Sequence, residues 1–364
     1  MKKKVLILAN SASGLYDFRN ELLLRLLENY EVHISLPDGD KVPQLEAEGC
    51  ILHHTPIDRR GINPLKDFAL LRQYWNLLKA IKPSVVLTYT IKPNIYGNLC
   101  SRCMKIPYIA NITGLGSTFE NGGILLKVIV FLYRMALKNA ACIFFQNEQN
   151  KKIFEEYGIR GQKARLVSGS GVNLDRHNFE EYPTIDEKIC LTYVGRIMKE
   201  KGIEELLYTA KRIKEENPSV TFRLIGNYED DYKAVIEEYV KANIIHITSY
   251  QKDIHPFYKE ASAILMPSYH EGMSNVILEA SATGRPVLAS DIPGCREGFD
   301  DGVTGFGFEA RNQEALYEAV VKFLQLSHEE RAKMGMNARS KMEQEFDRQK
   351  VVNAYMEEIE AICK

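Results

Sequence analysis

The chain has 364 residues, 45% apolar and 26% charged, with a formal net charge of -1. That composition describes an ordinary soluble globular protein long enough for two domains and excludes a disordered or fibrous chain. The balance hides an asymmetry: residues 1–178 hold 24 Lys+Arg and 15 Asp+Glu (+9), leaving 47 - 24 = 23 basic and 48 - 15 = 33 acidic residues (-10) for the remainder. A basic half beside an acidic half points to an anionic partner on one side, or to two solvated surfaces of different composition.

"MKKKVLILAN" opens the chain with a basic start, but its apolar run is too short for a signal peptide and reads as a first β-strand. With seven cysteines, an odd number, the expectation is a cytoplasmic protein with reduced thiols. Strand patterns follow at 4–9, 31–36, 84–89, 107–112 and 141–146, separated by amphipathic stretches at 16–29 and 64–81. This alternation predicts βαβ units and a parallel sheet covered on both faces. "NSASG" (10–14) follows the first strand; its small residues suit either a plain β-to-α turn or a loop that approaches a ligand closely. Cys100 and Cys103 form a lone C-x-x-C with no second pair or nearby histidine, and read as two helix residues rather than a metal or redox site. The eight histidines are scattered and suggest no metal site.

"GGILLKVIVFLYRMALKNAA" (122–141) is strongly apolar but is interrupted by Lys127, Arg134 and Lys138 and is too short to span a bilayer. Two readings stand: a buried helix of the first domain, or a helix that partly faces an anionic membrane interface. The clusters "DRRG" (58–61) and "SRCMK" (101–105) add basic charge to the same half. The polar stretch 178–188, with Pro183, reads as a linker. Beyond it the scheme repeats, with strands at 189–195, 220–226, 244–249, 262–268 and 285–290 and helices near 203–216, 230–242 and 274–283. The expected domains are therefore 1–178 and 179–346, with a final helix at 347–363 packing back toward the first.

Two Rossmann-like domains facing a central cleft place ligands at the carboxyl ends of the strands. No G-x-G-x-x-G fingerprint opens a helix after a first strand, which disfavours a dinucleotide-dependent oxidoreductase. The basic surplus lacks interleaved aromatics, which disfavours nucleic acid as a partner. "GRIMKEKG" (195–202) lies between a strand and a helix: Gly195 permits a tight turn, Arg196 offers a planar fork of donors and Lys201 a compact cation. Such a pair suits a diphosphate. In "SYHEGMSNVILEA" (268–280), Ser274 is a good N-cap whose helix start favours an anion. Glu271 and Glu279 lie eight positions apart, roughly 12 Å along a helix. That exceeds the ~5–9.5 Å between paired glycosidase carboxyls and disfavours a hydrolytic acid/base couple.

"EGMSNVILE" (271–279, E-x7-E), "GRIMKEKG" and "SGVNLDRH" (170–177) together resemble the retaining, nucleotide-sugar-dependent glycosyltransferases of family 4, which have the GT-B fold. The resemblance implies that Arg196, Lys201 and Glu271 are the catalytic group, with Arg196 and Lys201 on the donor diphosphate and Glu271 on the transferred sugar. It implies that Glu279 binds the ribose and that the donor is further lined by Gly14, Gly195, Gly272, Met273, Ser274, Asn275 and Val276, with the base near Tyr250 and Lys252. The family's N-terminal loop corresponds to "NSASG", so Ser11 and Ser13, with Gly114 and Gly116 of "NITGLGS" (111–117), fall on the acceptor side. That last stretch and "TYTIKPNIYGN" (88–98) resemble the branch that builds bacterial surface polysaccharides. The expected substrates are a UDP-sugar, with hexose or N-acetylhexosamine, and a polyprenyl-diphosphate-linked saccharide at the cytoplasmic membrane face. No cofactor or metal is implied, since Arg196 and Lys201 supply the positive charge. The alternatives are a GT-B-type UDP-sugar 2-epimerase, a family 4 synthase making a soluble product, and a non-catalytic nucleotide-sugar-binding subunit.

Overall fold

A computed structural model describes residues 2–58, 61, 63–115, 119, 122–184 and 188–364. The chain forms two compact units: Met1–Ser170 with Gln349–Lys364, and Gly171–Arg348. The first change of unit thus falls at Ser170/Gly171 rather than at 178/179. The correction has a physical cause: Val172 pairs with Asp347 as an isolated parallel bridge and is buried among Met273, Leu278 and Phe346. This fastens the segment after Ser170 to the second unit.

Unit 1 contains β1 (Lys3–Leu8), α1 (Ala12–Asn29), β2 (Tyr30–Leu36), α2 (Val42–Ala47), β3 (Ile51–His54), α3 (Pro64–Ile81) and β4 (Val85–Tyr89). It continues with a π-helical turn at Pro93–Gly97, α4 (Asn98–Cys103), β5 (Tyr108–Ile112), α5 (Gly123–Leu137), β6 (Cys142–Phe145), α6 (Glu148–Glu156) and β7 (Ala164–Leu166). The parallel sheet runs in the order β3-β2-β1-β4-β5-β6-β7. Alternation along the strands divides the core between its faces. Val5 and Ile7 join Leu22 and Leu26 of α1, whereas Leu6 and Leu8 join Tyr74 of α3 and Tyr133 of α5. The last helix of the chain, here α13 (Arg348–Cys363), adds Tyr355 and Ile359 to the α1 face. Tyr355 Oη donates to Asn111 Oδ1 on β5, so the helix is seated by a buried hydrogen bond as well as by apolar contact. Cys100 and Cys103 both lie on α4, the former buried and the latter exposed.

Unit 2 contains β8 (Cys190–Val194), a 3₁₀ turn at Lys199–Lys201, α7 (Ile203–Glu216), β9 (Thr221–Ile225), α8 (Lys233–Lys241), β10 (Ile245–Thr248) and α9 (His255–Glu260). β11 (Ala263–Met266), α10 (Asn275–Ala282), β12 (Val287–Ser290), β13 (Gly305–Phe308), α11 (Gln313–Gln325) and α12 (His328–Lys341) complete it. Its parallel sheet has the order β10-β9-β8-β11-β12-β13. Two parallel-sheet α/β units of this kind make up the GT-B fold class. The fully buried Arg285 guanidinium donates to the backbone oxygens of Tyr258, Glu180, Glu181 and Lys259, tying the start of the polar linker to this unit.

Candidate active site

In each sheet, strand order reverses once, and that is where the carboxyl-end loops part to leave a crevice. In unit 2 the reversal lies between β8 and β11. Arg196 and Lys201 follow β8, and Glu271 follows β11. Gly202 brings Lys201 against Glu271, whereas the Arg196 side chain turns to Glu229: the φ of Gly202 is +70°, and a Cβ there would lie 2.0 Å from the carbonyl oxygen of Pro267, just beyond β11. With no side chain at 202 the 3₁₀ turn settles on that carbonyl, and Tyr269 N–H donates to Glu200 O at 2.9 Å. The Lys201 ammonium then pairs directly with the Glu271 carboxylate, both side chains being mostly buried. The opposite side of the Glu271 loop is set by Gly294, φ +85°, where a Cβ would lie 2.5 Å from Glu271 O. The Ser274 N–H donates to Gly294 O at 2.7 Å.

Ser274 caps α10, its Oγ accepting from Ile277 N–H at 3.4 Å. Gly272 and Asn275 flank this cap. The helix start therefore lies in the same loop as Glu271, with its partial positive charge directed there. For Met273 the expected contact is through its backbone amide. Its side chain is buried with Val172, Leu278 and Met342, which leaves the amide as the group for such a contact. Val276 is half-buried against the cluster that holds Ile277 and Ala289. Gly195 leaves β8 with Tyr193 Oη donating to Arg196 O at 2.7 Å.

Glu279 occupies a separate polar pocket. Its Oε2 accepts from Tyr258 Oη at 3.0 Å, and His177 Nε2 lies 3.9 Å from Oε1. Burial, then the positive charges of Arg176, His255 and Arg348, depress the His177 pKa to about 3, so this imidazole is neutral near pH 7. Burial and the Glu279 carboxylate raise the Tyr258 phenol well above its ordinary value, keeping it a hydrogen-bond donor. His177 ends the junction motif, where Asn173 Oδ1 accepts from the N–H groups of Asp175 and Arg176 at 3.0 and 2.8 Å. Glu271 and Glu279 thus have different partners, as suits two contacts rather than one acid/base couple.

Sequence reasoning passed over His177, Tyr258 and Glu229. Glu229, in the loop after β9, forms an ion pair with the half-exposed Arg196. The only signal was the acidic run "NYEDD" directly after a strand. Tyr250 and Lys252 lie beyond β10, two strands from β8, and are exposed. The Tyr250 N–H donates to Asn227 Oδ1 at 3.2 Å, linking this loop to the one after β9.

In unit 1 the reversal lies between β1 and β4. Ser11 follows β1, and of the two expected readings of 10–14 the stretch takes the form of a tight β-to-α turn. The chain enters α1 at Ala12 because Ser11 is an N-cap, its Oγ accepting from Gly14 N–H at 3.1 Å. Ser13 is exposed in the first turn and Gly14 is a helical residue. Across the reversal, β4 is followed by Thr90, a β-branched residue with φ +72°, and then by the π-helical turn. Left-handed backbone at a β-branched residue is strained, and such strain and π-turns gather at working sites. Lys92 next to it pairs with Asp67 at 2.7 Å. Gly114 follows β5, one strand further along. Gly116 and the arginines of "DRRG" lie outside the described residues.

Residues 175–341 match the family described as "Glycosyl transferases group 1", and residues 4–147 that described as "Glycosyl transferase 4-like". The chain belongs to these glycosyltransferases. It is 25% identical over 338 residues to the N,N'-diacetylbacillosaminyl-diphospho-undecaprenol alpha-1,3-N-acetylgalactosaminyltransferase of Campylobacter jejuni, covering 87% of this chain and 88% of the relative. It is 26% identical to the Escherichia coli UDP-Gal:alpha-D-GlcNAc-diphosphoundecaprenol alpha-1,3-galactosyltransferase, covering 81% and 80%. Among solved structures, Anabaena HepE in complex with UDP and glucose is 17% identical and superimposes with a TM-score of 0.80 over 99% of this chain and 100% of HepE. The glycosyltransferase is therefore an enzyme of the GT-B class, and the epimerase and non-catalytic readings gain no support from these matches.

Proposed function

We propose that this glycosyltransferase moves a hexose or N-acetylhexosamine from a UDP-sugar to a saccharide carried on a polyprenyl diphosphate, in bacterial surface-glycan synthesis, with retention at the anomeric carbon. The observation that carries the reading is the Lys201–Glu271 pair at the β8/β11 reversal, beside the capped start of α10. A diphosphate there would meet Lys201, Arg196 and the helix start, while Glu271 accepts hydrogen bonds from the sugar hydroxyls. The Glu279 carboxylate accepts from the ribose hydroxyls, and Ser11, Ser13 and Gly114 serve the acceptor.

In the reaction, the acceptor hydroxyl oxygen bonds to the anomeric carbon as the bond from that carbon to the diphosphate oxygen breaks. The hydroxyl proton passes to the departing diphosphate on the same face. Arg196 and Lys201 stabilise the charge that develops there, and fixed positive charge so placed accelerates the step. The undecaprenol-linked acceptors named for the Campylobacter and Escherichia relatives support the acceptor class, and the UDP of HepE supports the donor base.

The test has two arms. Thermal denaturation with UDP-, GDP- and ADP-sugars is expected to show stabilisation by a UDP-sugar alone, since a ligand of the native state raises Tm. Incubation of that donor with polyprenyl-diphosphate saccharides is expected to yield UDP and an α-linked product. Stabilisation only by GDP- or ADP-sugars overturns the base, and transfer only to water-soluble sugars overturns the acceptor.

A further inference from the structure

We infer that the outward face made by α3 and α5 of unit 1 is a docking surface for an anionic phospholipid bilayer. The inference rests on the lipid-linked acceptor proposed above and names the surface that would bring the enzyme to it.

α5 is apolar on two opposite sides. Its inner side buries Leu126, Val130, Tyr133 and Leu137 against the sheet. On its outer side, Ile124, Val128, Phe131 and Met135 are 81%, 48%, 61% and 40% exposed. Spacings of four, three and four residues align these four in one stripe. A surface helix of a globular protein ordinarily carries polar residues there. Lys127, Arg134 and Lys138, all exposed, line one flank of the stripe. α3 repeats the pattern: Leu65, Phe68 and Trp75 are 82%, 67% and 40% exposed, with Arg72 and Lys79 on the same side. Both helices pack on α4 and bury their inner sides in the same core, so both outer stripes point away from the sheet.

Charge decides the occupant. α3, α4 and α5 contain one carboxylate, Asp67, and it is paired with Lys92. A two-fold contact of this face with the same face of a second copy would bring like charge against like charge. An anionic lipid surface neutralises it, and the exposed Ile, Phe, Leu and Trp side chains enter the headgroup boundary. At fifteen residues α5 is roughly 22 Å long, short of the ~30 Å hydrocarbon core. Among the described residues no helix is long and apolar enough to cross a membrane, so α5 would lie on the surface. Helices in a parallel sheet begin at the carboxyl edge of the strands, so Leu65 and Ile124 lie at the same edge as Thr90 and Gly114.

The test is co-sedimentation of the full chain with vesicles of phosphatidylglycerol and phosphatidylcholine, compared with phosphatidylcholine alone. The wild type is expected to sediment with the anionic vesicles and to be released by salt. Lys127→Glu/Lys138→Glu and Val128→Gln/Phe131→Gln are each expected to weaken partitioning by on the order of tenfold or more. All four side chains are exposed, so Tm and the stabilisation by nucleotide-sugar should be unchanged, separating loss of docking from loss of the donor site. Equal partitioning of wild type and variants overturns the surface. No binding of the wild type to anionic vesicles, or a concentration-dependent dimer that the variants dissociate, overturns the bilayer as its occupant. Failure of the donor to stabilise the wild type while it still binds vesicles would overturn the proposed function and leave the docking surface standing.

Discussion

Tyr258 and Glu279 lie on different helices, α9 and α10, and are joined by a 3.0 Å hydrogen bond from the phenol to the carboxylate. The bond fixes one carboxylate oxygen of Glu279 while the other lies near a neutral imidazole, an arrangement suited to receiving two vicinal hydroxyls. Glu279→Gln removes the charge and Tyr258→Phe removes the anchor. Since a hydrogen bond to a charged group contributes about 1.5–3 kcal/mol, Glu279→Gln should raise the donor KM by roughly 10- to 100-fold. Tyr258→Phe should give a smaller rise and lower Tm. Steady-state kinetics with donor varied would check both, and an unchanged KM in Glu279→Gln would remove the ribose role.

Lys201→Ala should lower kcat by roughly 10²–10³, the range found when one donor to a developing anion is lost. It also strands the Glu271 carboxylate without its cation in a largely buried loop. Lys201→Ala/Glu271→Gln should therefore recover thermal stability without recovering turnover. Measuring UDP release and Tm on the same samples separates the two effects.

His177 makes stability fall in acid. Its folded pKa is depressed from 6.5 to about 3, so the folded state binds fewer protons than the unfolded chain between those values. The stabilisation is complete above about pH 6.5 and is lost as pH falls toward 3, at about 1.4 kcal/mol per pH unit for this one group. Replacing it by phenylalanine should flatten the profile of unfolding free energy over that window. Urea denaturation at stepped pH is the measurement, and parallel profiles for wild type and His177→Phe would refute the assignment.

Arg285→Lys is conservative in charge but not in geometry. The guanidinium satisfies four carbonyls from two segments of unit 2, and an ammonium with three donors leaves some of them buried and unpaired. A loss of about 3 kcal/mol corresponds to roughly 6–12 °C in Tm for a domain of this size. Because one of those carbonyls is that of Tyr258, the donor KM should rise as well.

Much of the fold was legible because β-branched runs and 3.6-residue periods are local signals. The run at 64–81 coincides with α3, and 203–216 with α7. β3, β7 and β13 escaped notice because "ILHH", "ARL" and "GFGF" are only three or four residues long, too short to establish a period. In the site, the residue types of Arg196, Lys201, Glu271 and Ser274 were readable, but the pairing of Lys201 with Glu271 was not. It depends on Gly202 meeting Pro267, a contact between loops of different strands that no local pattern encodes. The polarity of "NSASG" leaves turn and loop undistinguished, because the same serine that ends a turn also caps a helix. His177 was invisible for a related reason: its environment is assembled from α9 and α10, far along the chain.

Because α13 completes the core of unit 1, the order of synthesis and the order of folding cannot coincide. A ribosome finishes unit 2 before it delivers Tyr355 and Ile359, so a nascent chain holds the α1 side of its first sheet open throughout translation. A stop codon at position 349 would leave unit 2 whole but unit 1 with an uncovered apolar face and Asn111 without its tyrosine. Such a product exposes apolar surface that chaperones and proteases recognise, so unit 1 is not closed until α13 has been made.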